Sequence, residues 1–381
     1  MTDNTDSGRL NLASRPGQAP LPEPIIPPAQ PLVTLGQLGQ LRTALTDGTD
    51  DPILIAIHDY PDPDALASAL ALQTLGRSWG VDSTIVYGGG IGRPENAAMV
   101  KLLGIEIVSF GKISDLSKYK GAMFTDTQPV AKNQSLPSSV PVLAVIDHHS
   151  LGDDTVRVYT TVKEKHHETS VNSFHDVRLD VGSSSTLALG YLMAAGMVPD
   201  ARLATALFTG IKTDTDNLLR DAKLADIQAY TNLIPLADMQ MVAGISRPPL
   251  GRDYFRLLDR AMRQTSVYNN CLIADCGEIT APDAISVISD LLVKNEGTLY
   301  ALAHGSKGNR HYFSLRVKPP ENDATRVMLQ TVGRDGKGGG HNLSAGGFVD
   351  SSEQNKQTIL EECRSRFLLA VGAFPKGSPL I

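Results

Sequence analysis

From residue 53 onward the chain alternates short apolar runs with stretches of helical spacing, the pattern of parallel strands joined by crossover helices. Candidate strands fall at 53–57, 84–87, 106–109, 122–125 and 142–146, with a helix over 93–103 and a shorter one over 35–45 ahead of the first strand. The first unit sets the theme. Residues 53–57 are apolar and stop at His58, Asp62 and Asp64 follow, and Leu66, Leu70 and Leu75 then mark the buried stripe of a helix. Asp62 suits the N-cap, where a carboxylate accepts from exposed backbone N–H groups, and Pro63 suits the first helical position, where no N–H is wasted. A histidine and two carboxylates thus gather at the carboxyl end of a strand, where open α/β sheets place their ligands. Taken alone, the trio reads equally well as a capped loop with a surface histidine.

Repetition tips the balance. The strand at 122–125 ends at Asp126, and the strand at 142–146 ends at Asp147-His148-His149. Helices are predicted over 183–195 and 202–209, followed by a polar turn carrying Asp214 and Asp216. The pattern loosens over 235–247, then resumes with an amphipathic helix at 254–262, strands at 271–275, 298–304 and 312–317, and helices at 283–293 and 324–332. The expectation is an α/β protein with a parallel-sheet domain over 34–235, a linker over 236–265 and a smaller mixed α/β domain over 266–381. Residues 1–33 are polar and then proline-rich, a composition that packs no core, and are expected to form a disordered tail. His166-His167 stands in the charged run KEKHHE and reads as a solvated loop. Gly88-Gly89-Gly90 lacks the dinucleotide-binding spacing and reads as a chain reversal.

Composition narrows the function classes. At 381 residues the chain is long enough for two cores. A net charge of −6 disfavours travel along nucleic acid, which requires an excess of Lys and Arg. Cys271, Cys276 and Cys363 have neither disulfide-framework nor zinc spacing, and the start of the chain lacks the basic and apolar regions of a signal peptide, so a cytoplasmic location is expected. The apolar run 187–198 is too short to span a membrane.

His58, Asp62, Asp64, Asp126, His148 and Asp214 form a donor set without thiolates, suited to Mn, Fe, Co or Mg. Four carboxylates would neutralise two divalent ions, and paired ions about 3.5–4 Å apart activate water and polarise a phosphoryl group. In order, His58-x-x-x-Asp62-x-Asp64, Asp126 in TDT, Asp147-His148-His149 and Asp214 in GIKTDT resemble the four motifs of DHH phosphoesterases. Gly338-Gly339-Gly340-His341, preceded by Ser314-Leu315-Arg316, resembles the associated C-terminal domain of that family. The resemblance implies two divalent ions, most often Mn2+. His58, Asp62 and Asp126 would hold one, and Asp64, Asp126, His148 and Asp214 the other, with Asp126 bridging. It places His149 just outside the metal shell as a donor to phosphate and Asp147 as a residue orienting the histidines. The active site would lie in a cleft, with Ser314, Arg316, Arg334, Gly338, Gly339, Gly340 and His341 holding the substrate from the second domain. Successive glycines there would let backbone N–H groups converge on an anion.

Two positions depart from the family pattern: Pro63 replaces a glycine common between the two aspartates, and Asp216, expected to face solvent, stands where glycine is common. The two-domain arrangement resembles the nanoRNase and pAp-phosphatase group, which implies short oligoribonucleotides, linear dinucleotides or pAp as substrates, no long nucleic acid or membrane partner, and a possible homodimer. A cyclic dinucleotide phosphodiesterase is the alternative. A nucleotide sensor without hydrolytic activity is the alternative of another class.

Overall fold

The computed structural model describes residues 31–131, 133–150, 173–321, 323–340, 343–352, 354–374 and 376–381. The tail expected over 1–33 lies outside the described residues as far as residue 30, and so do His166, His167 and His341. Val33, inside the expected tail, is buried in the first core.

Helix α1 (Leu35–Thr46) opens on a capping box in which Thr34 Oγ1 accepts from the Gln37 N–H at 3.2 Å. The first lobe continues through β1 (Ile53–Ala56), α2 (Pro63–Ser78), β2 (Ser83–Tyr87), α3 (Pro94–Leu103), β3 (Ile107–Ser109), β4 (Ala122–Thr125), β5 (Val142–Asp147) and β6 (Phe174–Val177). It closes with α4 (Ser184–Ala194), α5 (Ala201–Asp214), α6 (Leu224–Leu233) and α7 (Met239–Ser246). The six strands run parallel in the order β3-β2-β1-β4-β5-β6. Strands β1 and β4 are buried at every position, which is why their sequences are apolar runs and not alternations. Helix α2 packs on the sheet and against α4 and α5, so it is apolar on nearly all sides.

The second lobe begins with α8 (Arg252–Arg263), β7 (Thr265–Tyr268) and β8 (Cys271–Glu278), followed by α9 (Ala284–Leu292), β9 (Tyr300–Lys307) and β10 (Arg310–Val317). Then come α10 (Ala324–Val332), β11 (Gly336–Gly340), β12 (Ser344–Asp350), α11 (Lys356–Ala370) and β13 (Ser378–Pro379). Its sheet has the order β11-β12-β10-β9-β8-β7-β13 and is antiparallel apart from the β8–β9 pair. Along β10, Phe313, Leu315 and Val317 enter the core shared with α10 and α11. The alternate residues Ser314 and Arg316 instead meet Ser289 and Asp290 of α9.

The segment 236–265 is more structured than a linker. Helix α7 buries Val242 and Ile245 in the first core, α8 buries Ala261 in the second, and the passage between them is short. The lobes also touch directly: the N–H groups of Gly92 and Arg93 both donate to Asp283 Oδ2, at 2.6 and 2.8 Å. A β-carbon at residue 92 would lie 1.9 Å from Asp283 Oδ1, so this approach requires glycine.

Candidate metal centre

The strand order brings the carboxyl ends of β1 and β4 side by side where the winding of the sheet reverses, the switch point at which such sheets bind ligands. His58 and Asp62 follow β1, Asp126 follows β4, and His148 and His149 follow β5. As the sequence predicted, Asp62 is the N-cap of α2, its Oδ1 accepting from the N–H groups of Asp64 and Ala65 at 3.0 Å each. Asp214 is not in a turn, as expected, but is the last residue of α5. The turn begins after it, and Asp216 there is exposed, as anticipated.

His58 Nδ1 lies 2.9 Å from the Asp59 carbonyl, which only accepts. A proton therefore sits on Nδ1, which turns Nε2 toward Asp62 Oδ1 at 3.7 Å and Asp126 Oδ2 at 3.5 Å. His148 Nε2 lies 3.1 Å from Asp214 Oδ2, 3.4 Å from Asp126 Oδ1 and 3.9 Å from Asp64 Oδ2. It is nevertheless a buried nitrogen with no hydrogen bond among the described residues. Ligand atoms of His58, Asp62 and Asp126 lie within 4.8 Å of one another, and so do those of Asp64, His148 and Asp214. All six residues singled out in the sequence converge, and Asp126 touches both triads.

Asp126, His148 and His149 make a third such grouping, but His149 Nδ1 is 2.8 Å from Asp147 Oδ1, so that nitrogen is already engaged. Asp147, expected to orient the histidines, engages the ring of His149 but only the backbone of His148. Its Oδ1 also accepts from the His148 N–H at 2.8 Å, and its Oδ2 accepts from Gln128 Nε2 at 2.8 Å.

The aspartates are held by a residue pair that sequence reasoning missed. At the N-terminus of α4, the N–H groups of Ser184 and Ser185 donate to Asp64 Oδ2 and Oδ1 at 2.7 and 2.8 Å, and Ser184 Oγ donates to Asp126 Oδ1 at 3.0 Å. The run Gly182-Ser183-Ser184-Ser185 announced a helix start, with Ser183 as its cap, but not the carboxylates it would meet. Asp126 itself has φ 56°, a left-handed conformation for a residue with a side chain, which marks a constrained site.

Burial disfavours charge throughout the cluster, and neighbouring groups decide how each residue responds. Asp64, buried and facing Asp126 and Asp214, has its carboxyl pushed well above the usual range. Asp126 is driven well below that range despite its burial, because His148 and His58 sit on its two oxygens. The same oxygens, joined by Asp62 for His58 and Asp214 for His148, overcome burial and raise both imidazoles, His148 to about 12. Protons thus occupy positions that compact carboxylates demand be positive. The hard oxygen and imidazole donors, the shared Asp126 and the orphaned His148 nitrogen fit divalent cations there.

The expected substrate residues are only partly gathered. Arg316 Nε donates to Asp290 Oδ1 at 2.5 Å and its Nη1 to Ser314 Oγ at 3.3 Å, so these two stand together. Gly338, Gly339 and Gly340 form not a turn but the edge strand β11, paired with Gly347, Gly346 and Ala345 of β12. In an extended strand successive N–H groups point in opposite directions, so the expected convergence of neighbouring amides on one anion does not occur there. Gly340 lies at the Arg316 end, since Ala345 pairs with both Gly340 and Leu315. Arg334 precedes the opposite end of β11, is exposed, and makes no hydrogen bond or ion pair among the described residues.

Fold and site together define a doubly wound α/β protein whose switch point carries an Asp/His cluster suited to divalent cations. An exopolyphosphatase-related protein from Bacteroides fragilis shares this fold, with a TM-score of 0.68 and 14% identity over 90% of this chain and 100% of that one. The uncharacterized protein MJ1633 of Methanocaldococcus jannaschii is 33% identical over 331 residues, 84% of this chain and 64% of that protein. A probable manganese-dependent inorganic pyrophosphatase of Streptococcus mutans is 27% identical over 166 residues, 43% of this chain and 48% of its own length. The chain therefore spans less than two thirds of the length of these two relatives. No protein-family model matches. No helix among the described residues is long and apolar enough to cross a membrane.

Proposed function

We propose that the chain is a metal-dependent phosphoesterase of the DHH type, hydrolysing short oligoribonucleotides or linear dinucleotides to mononucleotides and pAp to AMP. The observation that carries this reading is the convergence of His58, Asp62, Asp64, Asp126, His148 and Asp214 around an orphaned imidazole nitrogen at the switch point of the sheet. His58, Asp62 and Asp126 would hold one divalent ion and Asp64, Asp126, His148 and Asp214 a second, with Mn2+ the first choice given the probable manganese-dependent relative. Bound there, the ions would supply Lewis-acid stabilisation of phosphoryl oxygens and acidify water.

The protein's own groups do the rest. Ser184 and Ser185 fix the carboxylates. Asp147 engages His149 Nδ1 and so orients that ring, which would donate a proton to a phosphate oxygen. Arg316, tethered by Asp290, presents a charge from the second lobe. A second reading, hydrolysis of inorganic pyrophosphate or polyphosphate, is favoured by the names of the Streptococcus and Bacteroides relatives.

The test is a substrate panel with Mn2+: pGpG, pApA, pAp, cyclic di-AMP, pyrophosphate and tripolyphosphate, with products identified by mass spectrometry. Mononucleotides from pGpG or pApA are expected. Turnover of the inorganic substrates alone would replace the nucleotide reading, and binding without any turnover would leave a nucleotide sensor.

A further inference from the structure

The helix start that holds the metal-site aspartates is itself gripped by a carboxylate outside the cluster. Asp226, in the first turn of α6, has no exposed surface. Its Oδ2 accepts from the N–H groups of Lys223 at 2.8 Å and Gly182 at 2.7 Å, and its Oδ1 accepts from Thr186 Oγ1 at 2.6 Å. The first contact is an ordinary helix-start arrangement, in which an acidic third residue closes back on the N-cap N–H. The other two join α6 to the start of α4, 44 and 40 residues away along the chain. A capping role leaves them unexplained. No ion pair to Asp226 occurs among the described residues, and a carboxylate is buried in that way only where neutral donors converge on it.

The two gripped residues bracket the donors to the metal site. Gly182 and Thr186 stand on either side of Ser184 and Ser185, whose N–H groups bind Asp64, and Ser184 also reaches Asp126 through its hydroxyl. A helix leaves its first N–H groups without internal partners. In α4 the Asp64 carboxylate takes the first two, and Ser183 Oγ accepts the third, from Thr186, at 3.2 Å. The direction of this turn therefore fixes where the Asp64 oxygens rest. Gly182 permits the approach, because a β-carbon there would lie 2.8 Å from the Asp221 carbonyl oxygen and 3.0 Å from Asp226 Oδ2. The same β-carbon would lie 3.2 Å from Thr215 Cγ2, so the clamp also abuts the residue that follows Asp214.

We propose that Asp226 is a positioning residue for the metal centre. By holding the chain at Gly182 and at Thr186 it aims the Ser184 and Ser185 donors at Asp64 and Asp126, and so sets how tightly the cluster binds a divalent cation. It hydrogen-bonds none of the six candidate ligands and acts on them only through the start of α4. The inference rests on the metal-dependent phosphoesterase reading and adds to it a residue that governs cation affinity without binding the cation. Its effect is one of geometry. Asparagine at this position reproduces the contacts: its carbonyl oxygen accepts both N–H groups, and its amide donates to the Thr186 hydroxyl, which can accept as well as donate. Alanine removes all three.

Wild type, Asp226→Ala, Asp226→Asn and Thr186→Val are compared by electron paramagnetic resonance titration of free Mn2+, by melting temperature in EDTA, and by kcat and KM for pGpG at limiting and saturating Mn2+. Asp226→Ala should bind Mn2+ about 10–100-fold more weakly, the scale of lost outer contacts to metal ligands, with kcat recovering at saturating Mn2+ and KM for pGpG unchanged. Asp226→Asn should bind Mn2+ as wild type does. Thr186→Val, which removes one of the three contacts, should show a smaller weakening and carries the test if Asp226→Ala does not fold. A lower melting temperature with unaltered Mn2+ affinity, in Asp226→Ala or in Thr186→Val standing for it, would reduce Asp226 to a packing residue and overturn the proposal. Equal weakening in Asp226→Asn and Asp226→Ala would overturn it too, since charge and not geometry would then be the cause. A wild type that binds Mn2+ but hydrolyses none of the substrates loses the phosphoesterase reading, while the affinities still decide the role of Asp226. A wild type that binds no divalent cation overturns both.

Discussion

Ser184 binds two aspartates at once: its N–H lies 2.7 Å from Asp64 Oδ2 and its Oγ 3.0 Å from Asp126 Oδ1. Ser184→Ala keeps the first contact, which is backbone, and removes the second. Outer contacts of this kind orient metal-binding carboxylates and are worth about 10–100-fold in affinity. The expected outcome is weaker Mn2+ binding on that scale, with kcat largely restored at saturating metal. An unchanged Mn2+ titration curve would show that Asp126 is held adequately without the hydroxyl.

Gly210 makes room for this arrangement. A β-carbon at residue 210 would lie 2.3 Å from Ser185 Oγ and 3.1 Å from Asp64 Oδ1. Gly210→Ala gains about 1 kcal/mol of helix propensity but overpacks a buried contact, at a cost of about 1–3 kcal/mol. The melting temperature should fall and Mn2+ affinity should fall with it. A higher melting temperature with unaltered metal binding would mean that α5 can withdraw from α2 without disturbing Asp64.

These contacts show where sequence reading succeeds and where it stops. Strand ends that repeatedly deliver Asp and His were legible because a buried parallel strand is a continuous apolar run, and its last residue marks where polar chemistry can begin. The strand β6 was missed: FHDV is short, half polar and at the sheet edge. Asp214 was placed in a turn because GIKTDTDN is polar, yet α5 continues to Asp214 with Leu207 and Ile211 buried on one face. The glycines of β11 suggested amides converging on an anion. Instead Gly336 of β11 and its neighbour Gly347 of β12 permit close packing, since β-carbons there would lie 2.5 and 2.9 Å from Val332 atoms of α10. The pairing of Ser184 with Asp64 and Asp126, 120 and 58 residues away, depends on tertiary packing that no local pattern encodes.

Metal binding should strengthen with pH. In the metal-free protein His58 and His148 have raised pKa values, set by nearby aspartates that outweigh burial, so both are held as cations through neutrality. A raised imidazole pKa stabilises the fold fully below the ordinary value of about 6.5, and that contribution is lost as pH climbs through the folded-state value. The metal requires neutral imidazole and ionised carboxylate, so it must displace these protons and the one favoured on Asp64. The rise in melting temperature on adding Mn2+ should therefore grow with pH through neutrality, below the raised folded-state values, with net proton release in calorimetry across buffers of different ionisation heat. A metal-induced shift independent of pH would count against these residues as ligands.

Asp126 stands in both triads, 3.5 Å from His58 Nε2 and 3.4 Å from His148 Nε2. Asp126→Ala removes the shared carboxylate and is expected to abolish turnover and reduce the bound metal measured by elemental analysis. Wild-type kcat with stoichiometric metal in this variant would refute the bridging assignment.

Arg316 should separate from Asp126 in kinetics because it acts from the other lobe. Its guanidinium is held by Asp290 at 2.5 Å and sits beside Ser314 in the second lobe. A contact made equally in the bound substrate and the transition state lowers KM without raising kcat. Arg316→Ala is therefore expected to raise KM about 10–100-fold on phosphorylated substrates while kcat and metal content change little, the size of one charge-assisted interaction. Truncation also frees Asp290 for Arg93 alone, which leaves the contact between the lobes in place. A fall in kcat with KM unchanged would instead place Arg316 among groups that act only as the phosphoryl bond breaks.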